Sequence, residues 1–291
     1  MDYGRFVEIL NRHIFEGEKK DLLKKLAERP ERFIGLFRPT KPEAKILQHL
    51  LQSHEIRFGD AIEEIVTEII ADLGYKNLPK TIRDNDKTLS LDQYFTDGST
   101  YYFIEQKLRD DHDSTKKRGQ IDNFEKKLEM LYNIHGNNLV GIMYFIDPDL
   151  AKNRNFYTEK LRYFAEFYGV ETHLFYGQEL FEYFDAPQIW DNIIQWLIRW
   201  KSELPDLPEI NFDKNPKESF DEIKDLELRN WREILQNDKL WNEGIIYVLF
   251  RSGETLNLME EYFRQQNLVP YRNLGKLLRK RLEEYYTQKT L

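Results

Sequence analysis

The chain has 291 residues, a net charge of −8 with both signs well mixed, and no cysteine. Its length suggests one large or two small domains, and the missing cysteines exclude a disulfide framework, a thiolate metal site and a cysteine nucleophile. There is no run of about 18 apolar residues and no apolar signal core near the N-terminus, so a cytoplasmic protein with no membrane partner is expected. The acidic balance argues only weakly against nucleic acid, because local basic patches matter more than the total.

Residues 1–56 read as a helical region. FVEIL, DLLKKLAERP and PEAKILQHLLQ carry apolar residues at spacings of three and four, with Pro30, Pro39 and Pro42 as breaks. A core region, 57–202, follows. Phe58, Ala61, Ile62, Ile65, Ile69 and Leu73 form one helical stripe that Gly74 can terminate. The period then drops to two: 88–95 and 99–108 read as strands, with Asp97-Gly98 as a hairpin signal. After a polar loop, Ile121, Phe124, Leu128, Leu131 and His135 have helical spacing, and LVGIMYFI (139–146) reads as a strand buried on both faces. A helix, a strand at VETHLFY and a short helix at QELFEYF come next. Phe164, Phe167, Phe175, Phe181 and Trp190 read as core. The Pro-rich stretch 203–218 is expected to be a linker, and 219–291 a mostly helical region with one short strand at IIYVLF. The pattern predicts an α/β fold, a mixed central β-sheet flanked by helices, with helical N-terminal and C-terminal regions.

The unusual feature of the core is Glu105-Gln106-Lys107 inside the greasy run YYFIEQKL. Side chains two apart on a strand share a face, about 6.6–7 Å apart. A two-residue hairpin loop places Asp92 opposite Phe103, and a four-residue loop places it opposite Glu105; both put Asp92, Glu105 and Lys107 on one face. Two carboxylates suit a hard cation such as Mg²⁺, and a lysine beside them can orient a water or hold a phosphate. These are parts for hydrolysing a phosphodiester. The competing reading is a simple edge-strand ion pair, worth little. Other E-x-K or E-K-K runs, including Glu125-Lys126-Lys127, read as charged helix surface.

This arrangement resembles the PD-(D/E)XK nuclease superfamily, in particular the type II restriction endonucleases, over about Phe58 to Ile146. The resemblance implies a restriction-endonuclease-like core, with Asp92 and Glu105 as metal ligands and Lys107 as the assisting lysine. An acidic residue of the preceding helix, Glu63 by its spacing from Gly59 or else Glu64, would join them. Leu91 stands where the motif's proline would be, and Asp97 is better explained by the turn. The implied activity is Mg²⁺-dependent, sequence-specific cleavage of double-stranded DNA, with a cognate DNA methyltransferase acting on the same site. Palindromic cutting would require a homodimer. A repair or structure-selective nuclease, or a non-catalytic DNA-binding module, are the alternatives.

In the loop RDDHDSTKKRGQ, Arg109, Lys116, Lys117 and Arg118 are candidates for phosphate contacts, and Asp113, Ser114 and Thr115 for base edges or a helix cap. Gln120 is expected to open the next helix near the site, and Arg57 to reach the DNA backbone or pair with Glu55 or Asp60. Asp110 to Asp113, with His112 among them, do not read as a separate metal site, since consecutive side chains rarely converge.

Overall fold

The computed structural model describes residues 1–291 apart from 36, 38, 85, 86, 112, 290 and 291, and excluding the side chains of 84, 87, 288 and 289. His112 therefore lies outside the described residues. In chain order, helices α1 (Tyr3–Phe15), α2 (Glu18–Glu28) and α3 (Pro42–Asp72) are followed by strands β1 (Lys76–Asn77), β2 (Thr81–Asp84), β3 (Lys87–Ser90), β4 (Gln93–Thr96) and β5 (Tyr101–Lys107). Then come α4 (Ser114–His135), β6 (Leu139–Phe145), α5 (Arg154–Tyr168), β7 (Glu171–Tyr176), α6 (Glu179–Tyr183) and α7 (Gln188–Glu203). The remaining helices are α8 (Pro216–Ile223), α9 (Leu228–Gln236), α10 (Asp238–Asn242), α11 (Ile245–Leu249), α12 (Glu254–Gln265) and α13 (Val269–Lys289).

The chain forms two compact units, residues 1–13 with 57–204, and residues 14–56 with 205–291. The segment 1–56 is thus divided between them. In the first unit, five of the described strands make one mixed sheet in the order β1-β4-β5-β6-β7, with β2 and β3 as a separate hairpin. Strands β4 and β5 are antiparallel, whereas β5, β6 and β7 run parallel, with α4 and α5 as the crossovers. This is a restriction-endonuclease-like α/β core.

The two sheet faces follow from the period of two. Tyr94, Phe103, Met143 and Phe145 point to one side and share a buried cluster with Phe124 and Leu128 of α4 and with Leu161 and Phe164 of α5. On the other side the buried Gln93 donates to the Glu63 carbonyl and accepts from the Thr67 hydroxyl, both on α3. Gly141 on β6 makes the first face possible. A Cβ there would lie 2.9 Å from the Phe103 ring and 3.0 Å from that of Phe124. Gly141→Ala should therefore destabilise the protein by about 1–3 kcal/mol, measured by denaturant unfolding. No loss would mean that the rings move aside freely.

The stretch expected as one strand over 88–95 is broken. Ser90 ends β3, Leu91 is buried, and the main sheet resumes at Gln93. Leu91 N donates to the Lys80 carbonyl, which anchors the break and leaves Asp92 at the mouth of the β4–β5 ladder. Helix α4 begins at Ser114, six residues before the expected start at Gln120, because the Asp113 side chain caps it by accepting from Thr115 N and Lys116 N. Phe167 is 66% exposed, so the expected core placement fails there, while Phe164, Phe181 and Trp190 are buried.

The described regular elements of the second unit are helical. Ile210 and Phe212, in the stretch read as a linker, are buried in its core. Asp213 accepts from the backbone amides of Ser252, Gly253 and Thr255 at the start of α12. IIYVLF is helix, not strand. Gly244, in the left-handed conformation, starts α11, and Ile245, Ile246 and Leu249 bury at helical spacing. A strand there would have no ladder partner among the described residues of the unit.

Candidate active site

The β4–β5 turn decides the geometry. Asp97 Oδ1 accepts from the backbone amides of Ser99 at 2.8 Å and Thr100 at 2.7 Å, and from the Ser99 hydroxyl. These backbone bonds, chiefly that of Thr100, hold the Asp97 carboxyl below its ordinary pKa. The turn is thus the four-residue form, with Thr96 paired to Tyr101 and Gln93 to Ile104. Extending that register sets Asp92 across from Glu105.

Asp92, Glu105 and Lys107 meet at the end of β5. The Lys107 ammonium is 3.1 Å from Asp92 Oδ2, 2.8 Å from Glu105 Oε1 and 2.7 Å from the Gln106 carbonyl oxygen. Asp92 Oδ2 also accepts from Gln106 N at 2.7 Å. Three oxygens on three residues thus surround one cationic centre. Burial would depress the Lys107 pKa, but the charges of Glu105 and Asp92 outweigh it and leave the pKa raised. Lys107 is therefore an ammonium at neutral pH.

Asp92 and Lys107 open on a cleft of about 230 Å³ lined by Gly59, Asp60, Glu63, Asp92, Gln106, Lys107 and Leu108, with Glu105 buried behind Lys107. Glu63 stands on its wall and Glu64 does not. Glu64 pairs with Arg12 at 2.5 Å and His13 at 2.6 Å, both on α1. Glu63 is held by Lys80 at 2.6 Å, and Lys80 also donates to the Thr67 hydroxyl. Burial pushes the Glu63 carboxyl above its ordinary pKa, with help from Asp92 and Asp60 and against Lys80. The folded state thus holds the Glu63 proton more tightly than the unfolded chain does. That contribution to stability is complete below the unfolded pKa and is lost as pH rises through the folded value. Ionised Glu63 is then a net cost near neutral pH. Glu63→Gln should raise the melting temperature there, with the gain shrinking toward about pH 4; a lower melting temperature at neutral pH would contradict this.

Two residues on α4 that sequence reasoning did not place at the site complete it. Lys127, read as helix surface, is buried and pairs with Glu105 Oε2, and Asn123 donates to Glu105 Oε1 at 3.3 Å. The signal was present: Lys127 falls between Phe124 and Leu131 on the buried stripe of α4, where a lysine needs a counter-charge.

The loop residues divide. Ser114, Lys116 and Arg118 are exposed at the start of α4, Arg109 is exposed just beyond Leu108, and Arg57 is half-buried on α3 close to Gly59. Lys117 instead donates to Asn153 at 3.1 Å and lies over the Phe156 ring, and Gln120 accepts from the Tyr157 hydroxyl at 2.6 Å. Both side chains are turned toward α5. Asp110 is fully buried, accepting from Asn153 N, Asn153 Nδ2 and the Tyr176 hydroxyl, so it anchors the loop.

Among the described residues, no three histidine or acidic side chains converge as a metal cluster. The donor set at Lys107 is of another kind, two carboxylates and a backbone carbonyl, and all-oxygen sets suit a hard cation. No helix among the described residues is long and apolar enough to cross a membrane.

No curated protein sequence matches the chain. Among solved structures, Can2 from Sulfobacillus thermosulfidooxidans in complex with cyclic tetra-adenylate is similar at 15% identity and a TM-score of 0.30. That alignment covers 67% of this chain and 56% of that one, so the chain spans little more than half of that structure's length. The profile of the HinfI type II restriction endonucleases matches residues 3–85 and 75–201, a span that includes every member of the cleft. With that match over most of its length, the chain belongs to the HinfI family of type II restriction endonucleases.

Proposed function

We propose that the protein is a Mg²⁺-dependent endonuclease that hydrolyses phosphodiester bonds at a specific sequence in double-stranded DNA. It would act in the cytoplasm of a cell whose own DNA is protected by a methyltransferase with the same target. The observation that carries the reading is the cradle at the end of β5, where Asp92, Glu105 and the Gln106 carbonyl place oxygens within 3.1 Å of one cationic nitrogen. Asp92, Glu105 and the carbonyl would hold the cation, and Glu63 would join from the cleft wall. A bound divalent cation there supplies positive charge to a phosphate oxygen and lowers the pKa of a water.

Lys107, beside Asp92 and Glu105, would orient or activate the attacking water or hold the phosphate. Arg57, Arg109, Ser114, Lys116 and Arg118 would flank the DNA backbone, with Lys117 and Gln120 supporting the same loop from its α5 side. A palindromic target would require a homodimer with one site per protomer.

The test is incubation of purified protein with mixed duplex DNA in Mg²⁺, with an EDTA control, and sequencing of every new end. Uniform ends at one short motif, lost in EDTA, are expected. Ragged or structure-selective ends would point to repair, and intact DNA across several metals would overturn the catalytic reading.

A further inference from the structure

We propose that Lys127 is a positioning residue of this site: its buried ammonium holds one oxygen of Glu105, so that the other stays aimed at the cleft and Lys107 is free to leave Glu105 for the substrate. The proposal rests on the nuclease reading above and names a part of the site that the E-x-K strand does not contain.

The two lysines on Glu105 are unlike. Lys107 has 30% of its side chain exposed, lines the cleft and also contacts Asp92. Lys127 has 5% exposed and comes from α4, within the buried face that holds Phe124 and Leu128. The Glu105 side chain is itself only 3% exposed. A carboxylate so far from water needs a counter-charge that stays in place. If Lys107 were alone, each move toward a water or phosphate would strand that buried anion. Lys127 removes the penalty, because it pairs with Oε2 from α4 and is not itself among the residues that line the cleft. Asn123, four residues earlier on the same face of α4, donates to Oε1. Together they fix the carboxylate plane and leave Glu105 one oxygen, Oε1, to share between Lys107 and a cation. Groups that orient a metal ligand in this way are worth about 10- to 100-fold in metal affinity or activity.

The experiment measures Mn²⁺ binding to the metal-free full-length protein, from the electron paramagnetic resonance signal of free Mn²⁺. Single-turnover cleavage at saturating Mn²⁺ and DNA affinity in EDTA are measured in parallel. Lys127→Met is expected to weaken Mn²⁺ binding about 10- to 100-fold and to slow cleavage, with DNA affinity in EDTA unchanged. Lys127→Arg should restore most of both. Wild-type Mn²⁺ affinity and rate in folded Lys127→Met, with only a lower melting temperature, would reduce Lys127 to a structural ion pair and overturn the proposal. If Lys127→Met does not fold, Lys127→Gln, which keeps a neutral donor, is read by the same criteria. Glu105→Gln separates the two ideas. If it loses Mn²⁺ while Lys127→Met keeps it, only the role of Lys127 fails. If neither it nor Asp92→Asn differs from wild type in Mn²⁺ binding, the nuclease reading fails, and this proposal with it.

Discussion

Asp92→Asn is expected to slow duplex cleavage by about 10³-fold or more while the protein stays folded. The substitution keeps the shape and an acceptor oxygen. Gln106 N, which donates to Asp92 Oδ2 at 2.7 Å, can bond an amide oxygen as well. The side chain is partly exposed, so unfolding free energy should change by about 1 kcal/mol or less. What disappears is one of the two negative charges around Lys107. A divalent cation contributes several kcal/mol of charge stabilisation to a phosphoryl-transfer transition state, and each 1.36 kcal/mol is about tenfold in rate. Single-turnover cleavage in Mg²⁺ measures the loss. A rate within tenfold of wild type would remove Asp92 from the site.

Glu105→Gln should abolish cleavage to the same degree and, unlike Asp92→Asn, should also destabilise the fold. Glu105 is buried and is the counter-charge of the buried Lys127. Removing one member of a buried pair costs about 3–5 kcal/mol, because the other charge is left uncompensated. For a chain of this size that is a fall of roughly 6–20 °C in melting temperature. Adding Lys127→Met to Glu105→Gln should recover part of that stability without recovering cleavage, since both charges are then gone. Calorimetry on the three proteins checks it. Equal melting temperatures for Glu105→Gln and wild type would mean that water or another group already compensates Lys127.

The alternation of YYFIEQKL made the strand and the shared face of Glu105 and Lys107 legible, because a strand has a period of two whatever surrounds it. Asp92 was legible by parity alone, and the choice between loop lengths was not. That choice rests on Asp97 accepting from Ser99 and Thr100, a side-chain preference over a few residues. IIYVLF shows the opposite case. A short apolar run suits a buried strand or a buried helix equally, and its all-helical surroundings made it helix.

From its sequence alone the chain determined the α/β core, the helical periods, and the shared sheet face of Asp92, Glu105 and Lys107, since these depend on local spacing and one hairpin. Tertiary structure decided the rest. Glu63 rather than Glu64 faces the cleft because α1 brings Arg12 and His13 to Glu64, across some fifty residues of chain. Lys127 meets Glu105 because the β5–α4–β6 crossover lays one face of α4 on the sheet. Residues 14–56 join the C-terminal helices, and residues 1–13 the nuclease core, by burial of apolar faces far apart in the chain. Such pairings arise from complementary surfaces, and no spacing within a single segment encodes them.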